Sequence, residues 1–324
     1  MTNRFLRYYT IIGLLIIVTG AVILYYSLPG LPKNKEQPDP TVWDVSYVNS
    51  LPASPEADLI KYGRELIVNT SKYLGPNGSV GHMSNGMNCE NCHLEGGTRL
   101  NGNCFAMVAT TYPKFRERSG KLESVEYRIN ECMERSLNGE RLDSLSREMR
   151  AMRAYIVWLG ATVKKGAKLN GMSIPDLPLM NRAASASNGA QVYASRCATC
   201  HGPKGEGSMN ADATAYAYPP LWGPHSYNVS AGIYRLSRLA GYIKYNMPFT
   251  VEPSEPQLTD EDAWDVAAFI NSQPRPEKFF VYDWPNTSKK PFDYPFGPYT
   301  DVFSEQQHKY GPFAPIKKAK EPGK

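Results

Sequence analysis

The chain has 324 residues, enough for two domains of ordinary size, each with its own hydrophobic core. Its formal net charge is +5, and the Lys and Arg residues are spread along the chain rather than gathered into one patch, so charge makes no case for nucleic-acid binding. Six cysteines are present, and four of them fall into two identical patterns.

In chain order, Arg4 and Arg7 precede an uncharged, mostly apolar run from Tyr8 to Leu28, about the length that spans a bilayer. The run ends in Tyr25-Tyr26-Ser27-Leu28-Pro29 with no A-x-A site. Residues 1–28 therefore read as an uncleaved single-pass anchor, the alternative being a long signal peptide that is removed. Residues 29–55, rich in Pro and polar side chains up to Pro40, read as an extended tether.

A first domain is expected over residues 56–165. It opens with an amphipathic helix around Asp58 to Ile67 and closes with one from about Ser144 to Gly160, where Met149, Met152, Ile156, Val157 and Leu159 recur at helical spacing. Between them stands Cys89-Glu90-Asn91-Cys92-His93, and the same C-x-x-C-H pattern returns as Cys197-Ala198-Thr199-Cys200-His201. In this pattern the two thiols add to the haem vinyl groups and the adjacent imidazole becomes the proximal iron ligand. A redox dithiol or half of a zinc site would not require the histidine. Each domain is thus expected to carry one covalent haem c, with Cys89, Cys92, Cys197 and Cys200 attaching them and His93 and His201 as metal ligands. Such attachment occurs outside the cytoplasm, which agrees with the N-terminal segment and places the domains on the periplasmic side of a bacterial inner membrane.

Residues 166–187 read as a linker and 188–275 as the second domain, in which Asn188 to Tyr193 leads into the haem motif. Its closing helix, Thr259 to Asn271, has Thr259 as N-cap and Asp260, Glu261 and Asp262 at the positive end of the helix dipole. The tail, 276–324, is crowded with Pro and aromatic residues and is expected to wrap along the domains without regular helix, its Lys-rich end loose. The fold class is therefore mainly α: two tandem cytochrome c-type domains, an N-terminal transmembrane helix and an extended C-terminal wrap.

The sixth ligands distinguish the two domains. For the second, Met247-Pro248 lies downstream of His201 as c-type domains place a thioether; Lys244 and His225 are the other candidates. The first domain lacks Met-Pro and offers Met83, Met87, Met107, Met133 and His82. It also offers a capped helix from Ser124 to Gly139, on which Arg128, Cys132 and Ser136 follow at i, i+4 and i+8 along one face. A cysteine between an arginine and a hydroxyl is a candidate thiolate ligand and nucleophile. The alternative is a Cys104 to Cys132 disulfide.

At these residues the chain resembles the dihaem thiosulfate dehydrogenase / tetrathionate reductase family of TsdA-type cytochromes. The matching features are the first haem motif, the block from Tyr112-Pro113 through Arg116 to Gly120, Arg128 to Gly139, the second haem motif, Asn246-Met247-Pro248 and the tail through Gly311-Pro312-Phe313. The resemblance implies that Cys132 is the distal ligand of the first haem and that Arg118, Arg128 and Ser136 line the substrate pocket; Glu95, close after the first haem motif, is a further acidic candidate for the catalytic set. The resemblance also implies an oxidoreductase interconverting two thiosulfates with tetrathionate and two electrons, passing them through a His/Met haem to a redox partner such as a small cytochrome, a quinol-linked protein or an oxidase. Two other functions fit the haem motifs: an anchored dihaem electron carrier without chemistry, and a SoxA-like sulfur-oxidation cytochrome. The first leaves the arginine and cysteine helix unused; the second uses a haem-ligating cysteine as a sulfur attachment site and needs a carrier protein.

Overall fold

The computed structural model describes residues 48–167, 169–249 and 255–320, which belong to one compact unit spanning Trp43–Lys324. The anchor segment 1–28, most of the tether and residues 321–324 lie outside the described residues. Among the described residues no helix is long and apolar enough to cross a membrane. Helices of six or more residues are numbered here in chain order.

In the first domain α1 (Pro55–Val68) starts where its sequence dictates. The Ser54 hydroxyl accepts the Ala57 N–H at 3.1 Å, Pro55 occupies the first turn, and Glu56 and Asp58 face the positive end of the dipole. After α2 (Ala106–Thr111) and α3 (Val125–Arg135), helix α4 (Arg147–Leu159) starts at Ser146, which caps the Met149 N–H at 3.1 Å. Met149, Met152, Tyr155 and Ile156 turn inward against Leu66 and Ile67, each fully buried apolar side chain contributing about 1.5–3 kcal/mol. The two helices touch backbone to backbone, because a Cβ on Gly63 would lie 2.0 Å from the Ala151 carbonyl oxygen.

The second domain repeats this construction. Ser185 caps α5 (Ala186–Arg196), α6 (Leu236–Asn246) follows, and Thr259 and Asp262 form a reciprocal capping box at the start of α7 (Asp260–Ser272). Helices α5 and α7 meet at Gly189, where a Cβ would lie 1.9 Å from the Asp265 carbonyl oxygen. Trp264, Val266, Ala267 and Ile270 form the core beneath. Gly63→Ala and Gly189→Ala are each expected to force the helix pairs apart and cost about 1–3 kcal/mol. Thermal unfolding checks this, and an unchanged Tm would show that the crossings can open freely.

Two expectations are corrected. Residues 166–187, which lie between the two domains, are packed rather than free: Leu169, Met172, Ile174, Leu177 and Ala184 are buried, and Arg182 holds Asp265 at 2.8 Å and Glu261 at 2.6 Å. The tail does wrap and bury Trp284, Tyr294 and Phe313, but it also forms α8 (Glu305–Tyr310) and α9 (Ala314–Lys320). Ile316 of α9 is fully buried in the second core, so the Lys-rich end is pinned at least to Lys320. Helix α3 ends at Arg135 rather than near Gly139. Asn138, at φ 45°, takes the left-handed closing position, and the Gly139 N–H donates back to the Met133 carbonyl at 2.9 Å.

Two antiparallel ribbons complete the architecture: β1 (Lys114–Arg116) with β2 (Lys121–Glu123), and β3 (Ser208–Met209) with β4 (Tyr216–Tyr218). The domains are joined by packed contacts. The Tyr242 hydroxyl donates to the Asn91 carbonyl at 3.2 Å, the Asn246 amide donates to the Asn101 carbonyl at 2.8 Å, and Leu94, Ile174 and Tyr242 share a cluster that Met247 borders.

Candidate active site

In the first C-x-x-C-H segment Cys89–Asn91 form a 3-10 turn, and in the second Ala198–His201 form a single α-helical turn directly after α5. His93 directs Nδ1 to the Asn103 carbonyl at 2.6 Å, and His201 directs Nδ1 to the Pro219 carbonyl at 2.9 Å. A backbone carbonyl at Nδ1 fixes the tautomer that leaves Nε2 as a lone-pair donor, the arrangement a metal-ligating histidine needs. Burial pushes His93 down to about 4 and lowers His201 as well, keeping both rings neutral. Burial pushes the Cys89 and Cys92 thiols up to about 12 and Cys197 up to about 11, the opposite of the lowered value of a redox dithiol. The Phe105 ring stacks on His93 with centroids 4.1 Å apart. Apolar surroundings, neutral imidazoles and carbonyl-anchored Nδ1 atoms fit one covalently attached haem in each domain.

Beside the first motif is a cavity of about 240 Å³. Cys89, His93 and Phe105 line one part of it, and Arg128, Ile129, Cys132 and Met133 of α3 line another. Helix α3 is held in place by its own sequence: the Ser124 hydroxyl caps the Tyr127 N–H at 3.2 Å, and Val125, Ile129 and Met133 pack inward. Arg128 and Cys132, one turn apart, therefore face the same space as the haem motif. Cys132 next to it holds the Arg128 guanidinium above its ordinary range.

The other residues expected here divide. Arg118 is buried but lines a second, adjoining cavity; its guanidinium donates to the Ser230 carbonyl at 3.2 Å and lies over Trp284. Burial and nearby Arg135 lower it to about 10, so it keeps its charge near neutral pH. Ser136 is the half-buried cap residue at the end of α3 and lines neither cavity. Glu95 does not line them either: at φ 56° its backbone turns the carboxylate outward, where it pairs with Arg99 at 3.2 Å and is 54% exposed. Met107 and Met133 line the first cavity, whereas His82 is committed to the Pro76 carbonyl at 2.9 Å. Cys104 and Cys132 line the same cavity as free thiols, so the disulfide alternative is not realised, and burial pushes Cys104 up to about 11.

Beneath α3 runs a charge network that helical spacing alone does not reveal. Glu131, 3% exposed, contacts Arg128 at 3.1 Å and Arg135 at 3.6 Å. Burial opposes its ionisation, but Arg128, Arg118 and Arg135 outweigh that and hold its carboxyl below the ordinary value. Arg135 forks onto Asp283 with bonds of 2.6 and 2.8 Å and stacks 3.9 Å over Phe280. Asn228 of the second domain donates to the Glu134 carbonyl at 2.9 Å. The second domain and the tail thus clamp the helix that carries Cys132. Lys114 and Arg116 of β1 line both cavities; they lie within the matching block from Tyr112 to Gly120, but motif reading assigned neither of them a role.

In the second domain Met247 ends α6, half-buried against the core. Of its rivals as ligand, Lys244 is engaged by the Leu258 carbonyl at 2.6 Å and Asp260 at 3.0 Å, and His225 is exposed.

Comparison with known proteins agrees with this division. Residues 81–163 match the family described as SoxA/TsdA, cytochrome c domain, and residues 186–274 match Cytochrome c. The chain is 37% identical to thiosulfate dehydrogenase of Stutzerimonas stutzeri, over 70% of this chain and 71% of that one. It is 38% identical to thiosulfate dehydrogenase of Allochromatium vinosum, over 76% of this chain and 89% of that one. Among solved structures, thiosulfate dehydrogenase (TsdBA) from Marichromatium purpuratum superposes with a TM-score of 0.65 at 31% identity, covering 72% of this chain. This chain spans 49% of that longer one.

Proposed function

Because this chain belongs to the thiosulfate dehydrogenase family, with two cytochrome c domains and two haems c, we propose that Cys132 is the nucleophile and distal haem ligand in its interconversion of thiosulfate and tetrathionate. The haems supply one-electron acceptance, so that the two electrons released per tetrathionate leave singly. The Cys132 thiolate forms an S–S bond to the outer sulfur of one thiosulfate, two electrons being lost. The outer sulfur of a second thiosulfate then attacks that sulfur, tetrathionate departs, and the thiolate returns. Atoms and charge balance in both steps, and the reverse sequence reduces tetrathionate.

The chain's task is to hold dianions against their mutual repulsion. Arg128 offers charge-assisted hydrogen bonds to sulfonate oxygens, with Glu131 fixing its direction, and Arg118 adds positive potential from behind. Arg118 and Arg128 are thus proposed for substrate binding, whereas the placement of Ser136 and Glu95 favours helix closure and a surface ion pair. The observation that carries the reading is the meeting of Cys132 and Arg128 with Cys89 and His93 at one cavity.

The test is to incubate purified holoprotein with tetrathionate and look by intact-mass and peptide mass spectrometry for a thiosulfonate on Cys132. Turnover with no adduct and no protection of Cys132 from alkylation would sink the mechanism. Met247 is proposed as the distal ligand of the second haem, the relay. Met247→Ala is expected to lower that haem's potential and slow acceptor reduction. Spectroelectrochemical titration checks this, and an unchanged potential would remove Met247 from the ligand set. From the N-terminal apolar run we also propose a periplasmic location with a membrane anchor, delivering electrons to a small cytochrome, a quinol-linked protein or an oxidase.

A further inference from the structure

Next to the haem-side cavity lies a second one of about 300 Å³. It is bounded by β1, the start of the Arg118 loop, and the tail around Trp284 and Lys289. Lys114 and Arg116 line both cavities. The reason is local: residues two apart on a strand project to the same face, so β1 presents both cations to the wall that the cavities share.

The charge of this second cavity is not balanced. Arg235 on its wall is committed to Asp293, with its Nε 2.8 Å from that carboxylate. No ion pair holds Lys114, Arg116 or Lys289 among the described residues. Glu117 is the single acid on the lining, against three such cations and the buried Arg118. Unpaired cations in a concave surface raise the local concentration of anions and speed their entry.

We propose that this cavity is a waiting site for the second thiosulfate, a sulfonate-bearing dianion held by Lys114, Arg116 and Lys289 and passed along β1 to the first cavity. The proposal rests on the mechanism above, in which a second dianion must be at hand while the first is bound to Cys132. The buried Trp284 forms the floor of the waiting site, and the exposed ends of Lys114 and Lys289 form its mouth.

The experiment pairs kinetics with binding of an unreactive probe. Lys114→Gln and Lys289→Gln, both at exposed positions, are made singly and together in the holoprotein. For the double variant, KM for thiosulfate at low ionic strength is expected to rise about tenfold with kcat little changed, and the fall of kcat/KM with added salt is expected to flatten. Sulfate, titrated calorimetrically, is expected to bind the wild type and Cys132→Gly alike and to lose affinity in the double variant. Unchanged KM and unchanged sulfate affinity in the double variant would overturn the waiting site. A fall in kcat at constant KM would also overturn it, since the lysines would then act in the chemical step. If Cys132→Gly keeps full turnover, the nucleophile assignment fails, while the sulfate titration still decides the cavity on its own.

Discussion

Replacing Cys132 by glycine is expected to lower both thiosulfate oxidation and tetrathionate reduction by at least about a thousandfold, in line with removal of a nucleophile elsewhere. The haem content should remain two per chain, because Cys89, Cys92, Cys197 and Cys200 are untouched. Cys132 is half-buried and sits on a helix fixed by Ser124, Ile129 and Met133, so loss of its thiol leaves the helix packing in place. Arg128 would still bind a sulfonate, and KM should therefore change far less than kcat. Steady-state assays with an artificial acceptor and a reduced dye measure the two directions. Activity within tenfold of wild type would overturn the proposed chemistry and favour a chain in which Cys132 only tunes the haem.

The second large effect is expected at Arg135, which touches neither cavity. Arg135→Ala would take from the partly buried Asp283 and the buried Glu131 their shared cation, leaving Glu131 only Arg128, and would remove the guanidinium stacked on Phe280. Breaking one side of a buried ion pair costs about 3–5 kcal/mol, because the remaining charge stays desolvated. Denaturant unfolding should show this loss. Since the cation also pins the tail to the end of α3, kcat/KM should fall with it. Arg135→Lys should restore part of the stability but not the two-bond geometry. A loss below about 1 kcal/mol would mean that Asp283 finds another partner or reaches water.

How much of this was legible in the sequence depends on how far apart the interacting groups lie. Ser124 and Thr259 cap helices through bonds to residues three positions on, and both starts are legible directly; Ser54, Ser146 and Ser185 cap in the same way, but apolar periodicity alone places those helices only to within a few residues. The haem motifs are equally local, since thiols and imidazole are fixed by chain connectivity. Arg128 and Cys132 share a face because a helix repeats every 3.6 residues. Glu95, by contrast, is close to His93 in sequence, yet a left-handed backbone turns it toward Arg99 and solvent. Arg118 belongs to the matching block but ends in the neighbouring cavity, held by a carbonyl of the second domain.

The sequence by itself determined the two C-x-x-C-H motifs, the caps at Ser124 and Thr259, the duplicated domain plan and the cysteine and arginine pair, because each rests on bonds or repeats spanning a few residues. Only the tertiary structure decided that Gly63 and Gly189 are the contact points of the helix pairs. It alone brought Asp283 to Arg135 across 148 positions and set β1 as the wall between two cavities. Such choices depend on which distant surface removes apolar area and satisfies buried charge at once, and no local spacing encodes that partner.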